Sequence, residues 1–288
     1  MKLAERSYTL PRGKKLLLGR RTLIMGILNV TPDSFSDGGR WLEIPAALAH
    51  ARRMVEEGAD IIDIGAESSR PGFVPMTAAE EIRRLAPYLE ALAAACPLPI
   101  SVDTFKAETA RAALGLGADL LNDIWGLQYA EEPGEMARVA AANGVPVIVM
   151  HNQQGTDYAA FGGDVIAAEK AFFRRTVEIA EAAGLPREKL ILDPGIGFGK
   201  TAEQNLEVMR RQQELTELAG EEYPLLLGVS RKSVIGKVLD LPLGERLEGT
   251  LATSVLAVAQ GASILRVHDV RENVRAVQMA EAILQYSQ

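Results

Sequence analysis

Eight short apolar runs recur along the chain: LIMGILNV (23–30), IIDIGA (61–66), ISVDT (100–104), LLNDIW (120–125), VPVIVMH (145–151), KLILDPG (189–195), PLLLGVS (224–230) and ILRVHD (264–269). They are nearly continuous in Leu, Ile and Val, which is the pattern of strands buried on both faces, as in a parallel sheet. Between them the period becomes helical. In AALAHARRMVEEG, Ala46, Leu48, Ala49 and Val55 are read as one face and Arg52, Arg53, Glu56 and Glu57 as the other. TAAEEIRRLAPYLEALAAAC opens with Thr77 and Glu80 at capping-box spacing, and its internal Pro87 is expected to kink or interrupt the helix. Glycine marks helix ends in EEGAD, LGLGAD and QGAS, each running into a strand, and in AANG and EAAG. A glycine there takes the left-handed conformation that stops a helix and turns the chain. Strand and helix in regular alternation predict an α/β fold.

Eight such units could form a doubly wound sheet or a closed barrel. The strand count and the length of 288 residues favour a (β/α)8 TIM barrel, which typically needs about 250 residues. The opening YTLPRGKKLLLGRR reads as an N-terminal β-hairpin closing the barrel bottom, with Arg12-Gly13 as its turn. There is no linker or low-complexity tract, so residues 1–288 are taken as a single domain.

Composition narrows the class. The chain is 48% hydrophobic, enough for a full core, and its net charge of −7 argues against a nucleic-acid partner. The single Cys96 cannot form an internal disulfide, which suits a reducing compartment. The first residues lack a signal-peptide core and no apolar run is long enough to span a bilayer. A cytoplasmic enzyme is expected.

Polar residues gather at the carboxyl ends of the strands. Asn29 ends the first; Asp63 and Glu67 flank the end of the second; Asp103 closes the third. Asn122 and Asp123 lie in the fourth, His151 ends the fifth, Asp193 the sixth, and Ser230, Arg231 and Lys232 the seventh. Arg266 and His268 lie two apart on the eighth and so share a face. A charge in a barrel core is costly unless paired, whereas at the carboxyl rim it can meet a ligand. A neighbouring Arg and His suit an anion. Any single rim residue has a plainer reading. Asp103-Thr104 could cap the following helix, and Asp193 could simply begin the turn in DPG.

The motifs GILNVTPDSFSDGG, DIGAESSRPG, ISVDTFKAETA, LLNDIWG, VIVMHN, LILDPGIGFGK, VSRKSVIG and RVHDV, in this order over nearly the whole chain, resemble the bacterial dihydropteroate synthase family. Two departures are small: Ser69 stands where the family often has Thr, and Val229 where it often has a hydroxyl residue. The resemblance implies a pterin-binding barrel that condenses 6-hydroxymethyl-7,8-dihydropterin pyrophosphate with p-aminobenzoate, giving 7,8-dihydropteroate and pyrophosphate for folate biosynthesis. It also implies a homodimer, inhibition by sulfonamides, and Mg2+ as cofactor.

By resemblance, Asp103, Asn122, Asp193 and Lys232 read the pterin. Asn29, Arg266 and His268 hold the pyrophosphate, with Asn29 as the Mg2+ ligand. Ser69, Arg70, Phe198 and Ser233 shape the p-aminobenzoate pocket. The residue types agree with these roles: Asp accepts from paired N–H groups, Asn does both, and Lys donates. GIGFG looks like a glycine-rich phosphate cradle, but in the family it brings Phe198 to the p-aminobenzoate ring. The long connection after Asn29 is the family's lid, with Phe35 as an apolar flap and Asp37 to stabilise positive charge. Asp37, Lys232, Arg266 and His268 are the expected catalytic set. Three rivals share parts of this pattern. A pterin-dependent methyltransferase would not need Arg266-Val267-His268 or the long first loop. A non-catalytic paralogue would be expected to lack a loop residue or Lys232. A phosphosugar enzyme would leave the Asp and Asn readers unexplained.

Overall fold

The computed structural model describes residues 4–30, 40–67 and 76–285. The chain begins with an antiparallel pair, β1 (Arg6–Thr9) and β2 (Lys15–Leu18), joined by a turn over Pro11–Gly13. Arg12 and Gly13 both take left-handed φ angles, 62° and 77°, at the turn expected from the sequence. Eight parallel strands follow: β3 (Leu23–Asn29), β4 (Ile61–Gly65), β5 (Ile100–Asp103), β6 (Leu120–Asp123), β7 (Val147–Met150), β8 (Leu190–Asp193), β11 (Leu226–Leu227) and β12 (Ile264–Val267). Their order in the sheet is β11-β12-β3-β4-β5-β6-β7-β8. The ring closes where the Leu192 N–H donates to the Pro224 carbonyl at 2.9 Å, beside a parallel bridge between Leu192 and Leu225. This is the (β/α)8 barrel. A two-residue pair, β9 (Glu217–Leu218) with β10 (Glu221–Glu222), is too short to leave a periodic signal in the sequence.

The outer layer is α1 (Arg40–Glu56), α2 (Ala78–Ala95), α3 (Ala107–Gly115), α4 (Glu135–Asn143), α5 (Val165–Ala182), α6 (Ala202–Arg211), α7 (Ser233–Leu239), α8 (Leu247–Ala259) and α9 (Val270–Gln285). Among the described residues no helix is long and apolar enough to cross a membrane. Thr77 and Glu80 form the expected capping box at the start of α2. Three expectations change. The buried stripe of α1 is Ala47, Ala51 and Met54, with Leu48 and Val55 beside it, whereas Ala46 and Ala49 are exposed. Small residues at a helix surface carry little orienting signal, and the larger Met54 decides the face. Pro87 does not interrupt α2, which runs unbroken to Ala95. Buried Leu85, Leu89 and Leu92 continue one stripe past the proline and offset the backbone bond it cannot make. The seventh barrel strand shrinks from an expected 224–230 to Leu226–Leu227.

Along each strand, side chains alternate between the barrel interior and the helix layer. Ile24, Leu28, Ile62, Ile64, Ile100, Val102 and Leu121 face the helices. Inside, a separate apolar floor is built from Leu23, Met25, Ile61, Leu120, Ile148, Ile191, Leu226 and Ile264, together with Tyr8, Leu10, Leu16 and Leu18 of the hairpin. The hairpin therefore plugs the amino end of the barrel. Asp119, fully buried, ties it there: its Oδ2 accepts from Ile100 N–H (2.9 Å), Arg12 Nη2 (3.0 Å) and Lys14 Nζ (3.2 Å).

Asp119→Ala should cost about 2 kcal/mol in chemical denaturation, because it strands a buried N–H and frees two cations. A loss below about 0.5 kcal/mol would mean that the hairpin is held by its apolar residues alone.

Candidate active site at the carboxyl end of the barrel

The same alternation that builds the floor decides what stands above it. Two residues beyond Ile61, Leu120, Ile191 and Ile264 come Asp63, Asn122, Asp193 and Arg266, with Asp103 ending β5 between β4 and β6. On β4, β6, β8 and β12 the inward position changes from apolar to polar at about the same height. Arg266 joins them: its Nε donates to Asp63 Oδ2 at 2.6 Å and its Nη2 to Asp103 Oδ2 at 2.8 Å. Asn122 Nδ2 donates to the same Asp63 oxygen at 3.2 Å. Gly65 gives Asp103 its room, since a Cβ there would come within 3.3 Å of the Asp103 Cβ. Burial pushes the Asp103 carboxyl up to about 7 even with Arg266 beside it. Burial also works against the Arg266 charge, but Asp63 and Asp103 outweigh it and raise its pKa.

Across the mouth, Lys232 sits at the N-cap position of α7, and Ser233 is the first residue of that helix, as expected. The Lys232 ammonium donates to the Ile196 carbonyl and lies 4.9 Å from the centre of the Phe198 ring. A Cβ on Gly228 would be 3.9 Å from this ammonium and 3.8 Å from the Arg266 Cβ, so the two cations flank a bare patch of backbone. Burial pushes Lys232 down to about 8, although Asp193 opposes the shift. Burial raises Asp193 in turn, opposed by Lys232. Asp193 Oδ1 accepts from Gly195 N–H at 2.8 Å, so one carboxylate oxygen begins the turn. Phe198 is half-buried against a cluster of Phe105, Ile124 and Met150.

His268 is set by Ser230, whose Oγ lies 3.0 Å from its Nδ1 and accepts the His268 backbone N–H at 3.1 Å. Asn29 stands exposed at the end of β3. Its amide oxygen is a hard ligand, and among the described residues no group of three or more His, Cys, Asp or Glu could hold a metal. That donor set fits a Mg2+ arriving with its own diphosphate oxygens, which needs only one or two protein ligands. Asp37, Ser69 and Arg70, and with them Phe35, lie outside the described residues.

Other rim residues have structural duties. Asp123 faces outward and accepts from Trp125 N–H (2.9 Å) and Leu127 N–H (2.7 Å), and burial pushes it up to about 7. Arg231 turns away to pair with Asp269. Glu67 accepts from Met76 N–H at 3.0 Å and pairs with Lys106, which also reaches Glu81 at 3.0 Å. Asp103 is not a helix cap: the N-cap position of α3 is Lys106, and Asp103 faces Arg266. His151 points not to the open rim but into a buried cluster with Lys200 and Glu169. Asp63 and Ser230, polar strand-end residues to which the sequence assigns no role, orient Arg266 and His268. The parity of Asp63 with Ile61 was the signal for the first; nothing local marked the second.

A family profile described as pterin binding enzyme matches residues 25–268. The chain is 47% identical over 272 residues to a dihydropteroate synthase of Clostridium beijerinckii, covering 94% of this chain and 97% of the relative. It is 47% identical to that of Bacillus subtilis over 264 residues, 92% and 89% of the two chains. Among solved structures, a dihydropteroate synthase from Clostridium difficile, determined in the presence of pteroic acid, superposes with a TM-score of 0.87 at 50% identity, covering 93% of this chain and 99% of that one. One from Xanthomonas albilineans with 4-aminobenzoic acid gives 0.87 at 41% identity, with 96% and 97% covered.

Asp103, Asp123 and Glu169 are each pushed up to about 7, chiefly by burial. A carboxyl raised this way binds its proton more tightly folded than unfolded. The stability so gained is complete below about pH 4 and is lost as pH rises through about 7. The urea midpoint should therefore fall between about pH 4.5 and pH 7, the three carboxyls outweighing His151, whose lowered pKa adds stability as pH rises through about 6.5. A flat or rising midpoint there would contradict the burial of these carboxyls.

Proposed function

The chain belongs to the pterin-binding enzyme family, and from that membership we propose that it works as a dihydropteroate synthase, a transferase of folate biosynthesis. It joins 6-hydroxymethyl-7,8-dihydropterin pyrophosphate to p-aminobenzoate and releases 7,8-dihydropteroate and pyrophosphate. The observation that carries this reading is the convergence at one barrel end of Asp103, Asn122 and Asp193 with the cations Arg266 and Lys232. Acceptors for a nitrogen heterocycle thereby lie beside positive charge for its diphosphate.

In this reading Asp103, Asn122 and Asp193 face the pterin N–H edge and Lys232 its carbonyl. A charged hydrogen bond of this kind contributes roughly 1.5–3 kcal/mol. Arg266 and His268 stabilise the departing pyrophosphate. Two guanidinium donors of Arg266 are already held by Asp63 and Asp103, which fixes its plane before substrate arrives. Asn29 would supply the protein ligand to Mg2+, which when bound neutralises charge on the diphosphate. Ser233 at the start of α7 and the Phe198 ring receive the p-aminobenzoate carboxylate and ring, with Ser69 and Arg70 assigned there by family resemblance.

The step is SN1-like. The methylene C–O bond breaks with its electron pair going to pyrophosphate, and the electron-rich pterin spreads the positive charge left on the methylene. The p-aminobenzoate nitrogen then forms the new C–N bond and loses a proton. Water would trap the cation, and by family resemblance the connection after Asn29 is assigned as the lid that excludes it, with Asp37 assigned to stabilise the positive charge. We place the enzyme in the cytoplasm as a homodimer. Leu256 on α8 and Met279 and Ile283 on α9 are all more than 60% exposed and would be covered by a second copy.

The purified chain should form dihydropteroate and pyrophosphate from the two substrates, and no product under any metal condition would defeat this reading. Asp193→Ala should abolish pterin binding, whereas Asp37→Ala should lower turnover far more than pterin affinity; equal losses in the second variant would remove Asp37 from the lid role. Since Asp103 must be ionised and Lys232 protonated, kcat/KM should follow a bell with limbs near about 7 and about 8. A profile level across that range would detach these two groups from catalysis.

A further inference from the structure

Beneath the turn at residues 194–200 lies a buried ionic cluster that the reaction does not use. Lys200 Nζ is 2.8 Å from His151 Nδ1 and 3.2 Å from Glu169 Oε1. It also lies 2.7, 3.2 and 3.3 Å from the carbonyl oxygens of Pro194, Gly195 and Phe198. The side chains of Lys200 and Glu169 have no exposed surface. An ammonium only donates, so His151 Nδ1 accepts and the ring is neutral with its proton on Nε2. Burial first, then the Lys200 charge, hold the His151 pKa well below its usual value. GIGFG is therefore no phosphate cradle: three carbonyls of this turn converge on a cation. Stability alone does not call for such a cluster, since an apolar set of equal volume is often as stable.

The opposite side of the turn meets the active site. It presents two groups there, the Ile196 carbonyl that accepts from Lys232 and the Phe198 ring beneath the same ammonium. Gly195 has a φ of +64°, and a Cβ there would come within 2.0 Å of the His151 carbonyl oxygen, so the turn is packed directly on that residue. Gly197 N–H donates to Asn205 Oδ1 at 2.7 Å, and the Tyr158 hydroxyl donates to the Gly199 carbonyl at 2.9 Å. Asp103, Asn122 and Arg266 belong instead to the network centred on Asp63.

We propose that Lys200, braced by Glu169 and His151, is a positioning residue for the p-aminobenzoate half of the site, setting the 194–200 turn and through it the Phe198 ring and the carbonyl that holds Lys232. The substrate assignment rests on the reading of the chain as a dihydropteroate synthase; the clamp on the turn does not. Lys200→Met alone leaves Glu169 a buried carboxyl without its cation, which can unfold the chain, so the double variant Lys200→Met/Glu169→Gln carries the test. It should unfold cooperatively and show a KM for p-aminobenzoate raised about tenfold, with the KM for the pterin pyrophosphate raised less than about threefold, because of the pterin contacts only Lys232 and Asp193 touch this turn while Asp103 and Asn122 do not. Deuterium uptake by peptides spanning 194–200 should rise, with no change over β5 and β6. Equal changes in both KM values, no change in either, unaltered uptake, or a variant that does not fold would each overturn the positioning role. A wild-type chain that makes no dihydropteroate would defeat the functional reading instead, and the exchange measurement would still decide the clamp.

Discussion

One guanidinium organises the mouth of this barrel. Arg266, on the last strand, reaches past β3 to carboxylates on β4 and β5, and Asn122 on β6 joins them through Asp63. The charges are buried together, and each is tolerated because the others are there. Removing either carboxylate would leave the guanidinium under-paired, and removing the guanidinium would leave two carboxylates facing each other. The shared bonds hold four strands at a set height and orient the groups a heterocycle with a diphosphate tail would meet. Burial lifts Asp103 to about 7 against the pull of Arg266, so its charge can respond to a ligand.

The cost of gathering polar groups at one end is met at the other. The floor of Leu, Ile and Met is closed by an apolar hairpin and pinned by Asp119, so the amino half of the barrel is packed core. Preorganisation at the carboxyl half needs that support, because buried charges do not hold a fold together by themselves.

Two ionic centres divide the mouth. One, at Asp63, governs Asp103, Asn122 and Arg266. The other, at Lys200, lies under the turn that carries Phe198 and supports Lys232. Asp193 lies between them, with one carboxylate oxygen committed to its own turn and its charge acting on Lys232. A site that must hold two different substrates side by side benefits from two separately anchored halves, since each can be preorganised without disturbing the other.

What the sequence determined by itself was whatever repeats along it. Strand runs, helix stops at glycine, the Thr77–Glu80 cap and the Arg12-Gly13 turn are local, and periodicity marks them. The inward parity of Asp63, Asn122, Asp193 and Arg266 was equally local, and so was their place at the strand ends; the family motifs then named the chemistry of all but Asp63. The small-residue face of α1, the unbroken course of α2 past Pro87 and the two-residue length of β11 depended on what packs against them. Only the tertiary structure decided the partners. Arg266 meets Asp63 across 203 residues of chain, His268 meets Ser230 across 38, and Lys200 meets His151 across 49. No period in a sequence encodes a contact at such separations. Closure of the barrel brings those strand ends to one rim, and burial there turns scattered polar residues into paired ones.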